Sequence, residues 1–301
     1  MKKRVLKHIG IISGLLAALL VGCEPADQAA VNKAEGHSSA VQAAQIPGDL
    51  TFQDVLQKGE QIHFVSVSPK ESRILLGTHA GLYASASGNL WSIFSSGLEK
   101  KDISGWFTDP ENPKWLYVGG NRVSQYSDDG GKTWRESTKG LPQVLNIRCV
   151  TGVRENEQII LYAYIENEGV FQSADGGRSW GKFSTVTSDV YAMDYDQSES
   201  RLYMLTQDGL IYEQNGQWNQ EAIPDATQLY SFSVDRENRI IYLASDKGVM
   251  MKQDNQWEMM EQQLPEQAML LSAGPASYPL VAVGESASLY TLQNNEWIKW
   301  E

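Results

Sequence analysis

Cysteine is nearly absent from this sequence. Only Cys23 and Cys149 occur in 301 residues, so at most one disulfide can form and a disulfide-stapled scaffold is excluded. The fold must therefore be stabilised by its hydrophobic core, which a domain of about 250 residues can build. Cys149 lies in the alternating stretch Ile147 to Val150, which predicts that its thiol is buried like a small hydrophobic side chain.

Positive charge and long apolar runs are also scarce. The chain has 25 Lys and Arg against 37 Asp and Glu, a net charge of −12. Such a surface repels phosphate polymers, so nucleic acid is excluded as a partner. The N-terminal apolar run, Ile9 to Val21, has 13 residues and is shorter than the about 20 that a membrane-spanning helix needs.

The N-terminus has the pattern of an export signal. Basic residues precede the apolar run, which ends in Leu20-Val21-Gly22-Cys23, a sequence that resembles the lipobox of bacterial lipoproteins. The resemblance implies a signal peptide over residues 1–22, acylation of Cys23 and anchoring on a bacterial membrane surface. Residues 23–48, rich in Ala, Gln and Ser, are predicted to be a flexible tether. Removal of residues 1–22 would leave 21 basic and 37 acidic residues, a net charge of −16.

An eight-residue pattern occurs twice. Residues 127–134 read Ser-Asp-Asp-Gly-Gly-Lys-Thr-Trp, and residues 173–180 read Ser-Ala-Asp-Gly-Gly-Arg-Ser-Trp. The pattern predicts a tight hairpin, in which Asp accepts hydrogen bonds from its own turn, Gly supplies the positive φ, and Trp begins the returning strand. The residues with this structural role are Ser127, Asp129, Gly131, Thr133, Trp134, Ser173, Asp175, Gly177, Ser179 and Trp180.

Tryptophan marks a longer repeat. Six landmarks follow one another at spacings of 43, 46, 38, 39 and 40 residues, at Trp91, Trp134, Trp180, Trp218, Trp257 and Trp297. This period is typical of four-stranded propeller blades, and the eight-residue pattern resembles the Asp-box, or BNR repeat, of β-propellers. We therefore expect an all-β, six-bladed β-propeller of four-stranded antiparallel blades over residues 49–301.

Each blade is predicted to begin at its inner strand and to end at its Trp strand. The predicted inner strands are His63–Ser68, Ile103–Thr108, Ile147–Val153, Val190–Tyr195, Leu229–Val234 and Ala268–Ala273. Because the last blade ends on its own outer strand, the ring needs no swapped strand to close. The stretch Asp49 to Leu56 is expected to add an edge strand or a short helix between the first and last blades.

The resemblance to Asp-box proteins first suggests that the chain is similar to the sialidases. That family is six-bladed, grips its substrate carboxylate with three arginines and uses a Tyr nucleophile assisted by Glu. In this sequence only Arg148 falls on a predicted inner strand, and no Tyr is paired with a Glu by the pattern. The arginine distribution therefore argues against a sialidase.

Other glycoside hydrolases need two carboxylates about 5 to 9 Å apart. The sequence offers several candidates and does not show which of them converge. Asp109, Asp196 and Asp235 each follow the end of an inner strand, which favours a role in turns. No catalytic residue is assigned.

Five residues are candidates for binding at the mouth of the central channel. Arg148, Tyr191 and Tyr230 lie near the start of inner strands, His63 begins the first inner strand, and His79 lies in the next turn of the same blade. Two imidazoles from one blade could share a metal ion. No third ligand is evident from the pattern, so no metal site and no cofactor are predicted.

These observations predict an exported, lipid-anchored propeller, a monomer that acts as a binding or assembly scaffold for a protein partner. The repeat pattern is similar to that of photosystem II assembly factors and of the sortilin ectodomain, which bind polypeptides without catalysis. It is also similar, through Ile62-His63 and Gly77 to Leu82, to exported bacterial propellers labelled glycosyl hydrolases. A glycoside hydrolase or glycan-binding protein acting on extracellular or wall polysaccharide therefore remains the alternative, and an inert structural lipoprotein a third.

Overall fold

The computed structural model describes residues 48–68, 73–85, 89–186, 188–275 and 277–300. The predicted signal peptide, Cys23 and all of the tether before Gly48 lie outside the described residues. Within the described ranges the chain forms six four-stranded antiparallel sheets, each built from four consecutive strands. The predicted six-bladed β-propeller is confirmed, and the last blade closes on its own outer strand.

The strands follow one another from the inside of each blade to its outside. In blade 1, strands β1 to β4 are Ile62–Val67, Ile74–Thr78, Gly81–Ser85 and Trp91–Ile93. In blade 2, strands β5 to β8 are Gly105–Thr108, Leu116–Gly120, Val123–Ser127 and Arg135–Glu136. In blade 3, strands β9 to β12 are Ile147–Glu155, Gln158–Ile165, Gly169–Ser173 and Gly181–Ser184. A 3₁₀ turn, Ser96–Leu98, follows blade 1.

In blade 4, strands β13 to β16 are Val190–Asp196, Arg201–Thr206, Gly209–Gln214 and Gln217–Gln220. In blade 5, strands β17 to β20 are Leu229–Asp235, Ile240–Ser245, Gly248–Gln253 and Gln256–Met259. In blade 6, strands β21 to β24 are Ala268–Ala273, Leu280–Gly284, Leu289–Gln293 and Glu296–Lys299. The predicted inner strand of blade 6 agrees with the observed one. In blade 2 the strand begins at Gly105 rather than at Ile103, because the Ile103 N–H donates to the Thr78 carbonyl of blade 1 at 2.9 Å.

The hydrophobic core lies between neighbouring blades. Second strands such as Ile74–Thr78 and Leu280–Gly284 are buried along their whole length, because each sheet is covered on both faces by the blades beside it. Cys149 packs with Val190 and Met193 of the next blade. Its thiol is buried, as the sequence predicts, and burial raises its pKa to about 12.

A short helix closes the ring. Helix α1, Phe52–Gly59, begins at Thr51, whose hydroxyl accepts from the Asp54 N–H while the Asp54 carboxylate accepts from the Thr51 N–H, a capping box. Phe52 and Val55 pack into the core shared by blades 1 and 6, with Trp91 and Trp300 among its members. The expected short helix between the first and last blades is therefore present.

The two eight-residue patterns form hairpins with the same hydrogen bonds. Asp129 accepts from the Thr133 N–H at 3.0 Å and from the Thr133 hydroxyl at 2.6 Å, and the Ser127 hydroxyl accepts from the Gly131 N–H at 2.9 Å. The hydrogen bonds from Thr133 hold the pKa of Asp129 well below its usual range. In the second hairpin Asp175 accepts from the Ser179 N–H and hydroxyl.

The landmark tryptophans tie consecutive blades together. The indole N–H of Trp180 donates to the Ser137 hydroxyl of the preceding blade at 3.0 Å. Four further tryptophans reach back in the same way, to Ser95, Ser184, Glu221 and the Gln262 carbonyl, from Trp134, Trp218, Trp257 and Trp297. The tryptophan period therefore marks contacts between blades as well as strand starts.

Candidate functional site

The six inner strands surround a central channel. Its cavity has a volume of about 440 Å³ and is lined by residues of all six blades. The inner strands lie parallel: Leu271 N–H donates to the Ser231 hydroxyl, and Ala273 N–H donates to the Ser233 hydroxyl. All six therefore begin at one end of the channel, the front mouth, and end at the other, the rear mouth.

A recurring β-bulge sets the residues of the front mouth. In five of the six blades that the structure describes, the second residue of the inner strand has no partner in the ladder to the second strand. These residues, the bulge ring, are His63, Arg148, Tyr191, Tyr230 and Met269. A bulge leaves its extra residue outside the ladder and re-aims its side chain. The corresponding position of blade 2 is Ser104, directly before β5.

The bulge ring contains four of the five residues that the sequence nominated for the mouth. His63, Arg148, Tyr191 and Tyr230 all line the channel cavity, and Tyr191 is 55% exposed. His79 does not line the cavity but lies beside His63, with ring centroids 4.4 Å apart.

Sequence reasoning missed the fifth ring residue, Met269, which is 36% exposed and is not among the residues that line the channel cavity. Its place one residue after the start of a predicted inner strand is the signal that could have found it, because Arg148, Tyr191 and Tyr230 occupy the same place in their predicted strands.

A groove adjoins the front mouth. It lies between blades 4 and 5, has a volume of about 480 Å³, and shares Tyr191 and Tyr230 with the channel. Polar groups from the β14–β15 turn, including Gln207 and Asp208, line one side, and the 223–229 segment lines the other. The two tyrosines thus lie between the channel and the groove and border both.

An ionisable cluster stands at the blade 1 side of the front mouth. His63 Nε2 lies 2.8 Å from Asp102 Oδ1, and His79 Nδ1 lies 3.4 Å from Asp102 Oδ2. Burial lowers the pKa of His63, partly offset by the nearby carboxylate of Asp102, which favours the neutral imidazole. Asp102 is thus a third ligand-bearing neighbour of these two histidines, one that was not evident from the sequence pattern. The cause is the blade 1 to blade 2 connection, which places Asp102 over the β2–β3 turn.

The carboxylates of Asp194, Asp235 and Glu237 line the channel at its rear mouth, and the first two are engaged in structure. Asp194 accepts from the Val234 N–H at 2.9 Å and from the Arg236 guanidinium at 2.9 Å. Asp235 accepts from the Glu237 N–H at 3.1 Å, and Asp109 is buried against Arg154. Asp109, Asp196 and Asp235 each accept backbone N–H groups of the following turn, so their predicted role in turns is confirmed.

A Tyr–Glu pair, which sequence reasoning did not find, is present near the rear mouth. Tyr195 donates its hydroxyl to Glu155 Oε1 at 3.1 Å. Tyr195 is 6% exposed and stacks on Tyr162, and neither Tyr195 nor Glu155 is among the residues lining the cavity. Burial raises the pKa of Tyr195 well above its usual range, and the Glu155 charge adds to this. This geometry disfavours a nucleophilic phenolate.

Comparison with known proteins places this chain among propellers. The family described as DUF6242 beta propeller domain matches residues 112–229, less than half of the chain. A photosystem II assembly lipoprotein, Ycf48 of Synechococcus sp. (strain CC9902), is 24% identical over 148 residues, which are 47% of this chain and 42% of that protein. The matched part thus spans about two fifths of that relative's length.

Several solved structures share the fold. The Niastella koreensis GH74 enzyme matches with a TM-score of 0.55 at 13% identity, covering 80% of this chain and 47% of that one. A gluconolactonase of Xanthomonas campestris gives 0.56 at 14% identity, covering 80% and 93%. A chain of a nidogen/laminin complex gives 0.58 at 9%, covering 75% and 91%. These likenesses to solved structures establish a β-propeller fold.

In the described residues no helix is long and apolar enough to cross a membrane.

Proposed function

We propose that this protein is an exported propeller lipoprotein, anchored through acylated Cys23, that acts as a binding or assembly scaffold for a protein partner at its front mouth. We also propose that the two eight-residue hairpins are Asp-boxes, whose carboxylates serve the fold rather than the site. The relative that is 24% identical over part of its length is a photosystem II assembly lipoprotein, which supports the scaffold role and the anchor.

The bulge ring is the observation that carries this proposal. It presents Tyr191, Met269 and Arg148 on a chain whose net charge is strongly negative. Tyr, Met and Arg are enriched in protein interfaces, and Tyr and Arg dominate their energetic hot spots. The adjoining groove shares Tyr191 and Tyr230 with the channel, so an extended segment of a partner could enter the mouth while continuing along the groove.

A glycan-directed function is the second candidate. Trp106 lines the channel, and its buried indole N–H has no hydrogen-bond partner among the described residues, which would suit a hydroxyl-rich ligand. Hydrolysis, however, needs a free carboxylate pair. The channel's Asp194 and Asp235 accept structural hydrogen bonds at the rear mouth, while Tyr191 and Tyr230 stand at the front.

Comparative capture from intact cells tests the proposal. Three versions of the full chain are compared: the wild type, the double variant Tyr191→Ala plus Met269→Ala, and the single variant Met259→Ala. Each is crosslinked in cells and purified, and the proteins captured with it are identified by mass spectrometry. Met259 is the matched control, because it is 43% exposed but lies on an outer strand.

Loss of two anchors at about 1 kcal/mol or more each should reduce recovery of one specific protein at least tenfold, with no reduction for Met259→Ala. Equal recovery by all three proteins would overturn the proposal. Turnover of a glycan that is lost with Asp194→Asn would favour the second candidate.

A further inference from the structure

Blade 1 brings His63, a bulge-ring residue, together with His79 and Asp102, which lie outside the ring. Ile62 pairs with Thr78 across β1 and β2, so His63 and the turn residue His79 become neighbours. Asp102 joins them because the Ile103 N–H donates to the Thr78 carbonyl at 2.9 Å. One potential ligand atom from each of the three residues lies within 4.8 Å of the other two.

The contact between His63 and Asp102 is close and buried. Nε2 and Oδ1 are 2.8 Å apart, and neither atom has any further hydrogen-bond partner among the described residues. A neutral imidazole nitrogen and a carboxylate oxygen are both ligand atoms for a metal ion. The pair therefore offers two adjacent ligand atoms that no other described group engages.

A second contact fixes the orientation of His79. Its Nε2 lies 3.2 Å from Gln61 Oε1, a carbonyl oxygen that can only accept. In the tautomer with the proton on Nε2, this contact is a hydrogen bond and the Nδ1 lone pair faces Asp102, 3.4 Å from Oδ2. Metal-binding histidines commonly have their second nitrogen held in this way by an outer partner.

We propose that His63, His79 and Asp102 bind one divalent transition-metal ion, with Zn²⁺ as its representative. Imidazole and carboxylate donors suit this class, whereas Ca²⁺ and Mg²⁺ prefer oxygen donors alone. Ligand atoms of tetrahedral zinc lie about 3.3 Å apart, given zinc–ligand bonds of about 2.0 Å. His79 Nδ1 and Asp102 Oδ2 are already 3.4 Å apart, whereas the 2.8 Å between His63 Nε2 and Asp102 Oδ1 would widen slightly around the ion.

The ion would stand at the rim of the channel, because His63 also lines the cavity. Three protein ligands leave a coordination position for water or for a donor group of a bound molecule. The ion would give the front mouth a further position at which a bound molecule can be held. Metal binding itself does not require the proposed protein partner.

Zinc titration of the full chain, extracted in detergent and purified without a histidine tag, tests the site. After removal of metal by chelator, calorimetry should show one Zn²⁺ per chain. His79→Ala and Asp102→Asn should each weaken the dissociation constant at least tenfold. Asp189→Asn is the control, since Asp189 also precedes an inner strand but lies outside the cluster, and it should bind like the wild type.

Thermal unfolding gives a second readout. Zn²⁺ should raise the unfolding midpoint of the wild type and of Asp189→Asn, and should not raise that of His79→Ala. The proposal is overturned if the wild type shows no saturable zinc binding. It is also overturned if His79→Ala and Asp102→Asn bind zinc as tightly as the control.

Discussion

Two serines in this propeller have the same bonds but different burial, which allows a direct test of how the blades are tied together. The Ser137 hydroxyl accepts from the Trp180 indole and donates to the Gly177 carbonyl. Ser95 does the same with Trp134 and Gly131. Replacement of each serine by alanine removes both bonds at one junction between blades.

The expected cost differs because only one site is accessible to water. Ser137 is 1% exposed, so Ser137→Ala leaves a buried N–H and a buried C=O unsatisfied. At about 1 to 3 kcal/mol for each of the two buried unsatisfied groups, the free energy of unfolding should fall by about 2 to 6 kcal/mol. Ser95 is half-buried, so water can replace its hydroxyl, and Ser95→Ala should cost about 0.5 to 1.5 kcal/mol.

Thermal unfolding measured by circular dichroism distinguishes the two variants. For a chain of this size each kcal/mol lowers the midpoint by about 2 to 4 °C, so Ser137→Ala should unfold well below Ser95→Ala. In a Trp180→Phe background, which lacks the indole donor, the cost of Ser137→Ala should shrink. An equal or larger loss for Ser95→Ala would refute the reasoning.

Two further predictions concern ring closure and acid stability. Phe52→Ala should lower the free energy of unfolding, measured by urea unfolding, by about 3 to 5 kcal/mol, because Phe52 is 3% exposed within the core of blades 1 and 6. A loss below about 1 kcal/mol would show that α1 does not close the ring. Burial tends to raise the pKa of Asp109, but hydrogen bonds from Arg154 outweigh it and lower the pKa. Its stabilisation should therefore be complete above the unfolded value of about 3.9 and lost as the pH falls below it. The midpoint should accordingly drop less between pH 5 and pH 3 in Asp109→Asn than in the wild type; an equal drop would contradict this.

The fold could be predicted from the sequence because its signals are local and repeated. Turn residues such as Asn215, Asn255 and Asn295 adopt positive φ at hairpins that the repeat already places. The burial of Cys149 and the turn role of Asp109 also follow from their immediate neighbours. Each of these features depends on only a few consecutive residues, which the sequence displays directly.

The site could be predicted only in part, because it depends on contacts between blades. The bulge that selects Met269 is a one-residue shift between two strands, and residue types alone do not reveal it. Asp102 meets His63 through the path of the connection between blades 1 and 2. In the same way, the pairing of Tyr195 with Glu155 joins two different inner strands.

The most direct test of the central claim is site-specific photo-crosslinking in living cells. A photoreactive residue is placed at Tyr191 or Met269 on the front mouth, or at Met259 or Ile298 on outer strands, all of them exposed. The account predicts an adduct with one and the same protein from both mouth positions and none from the outer strands. Adducts from the outer strands alone, or no protein adduct from the mouth, would contradict it.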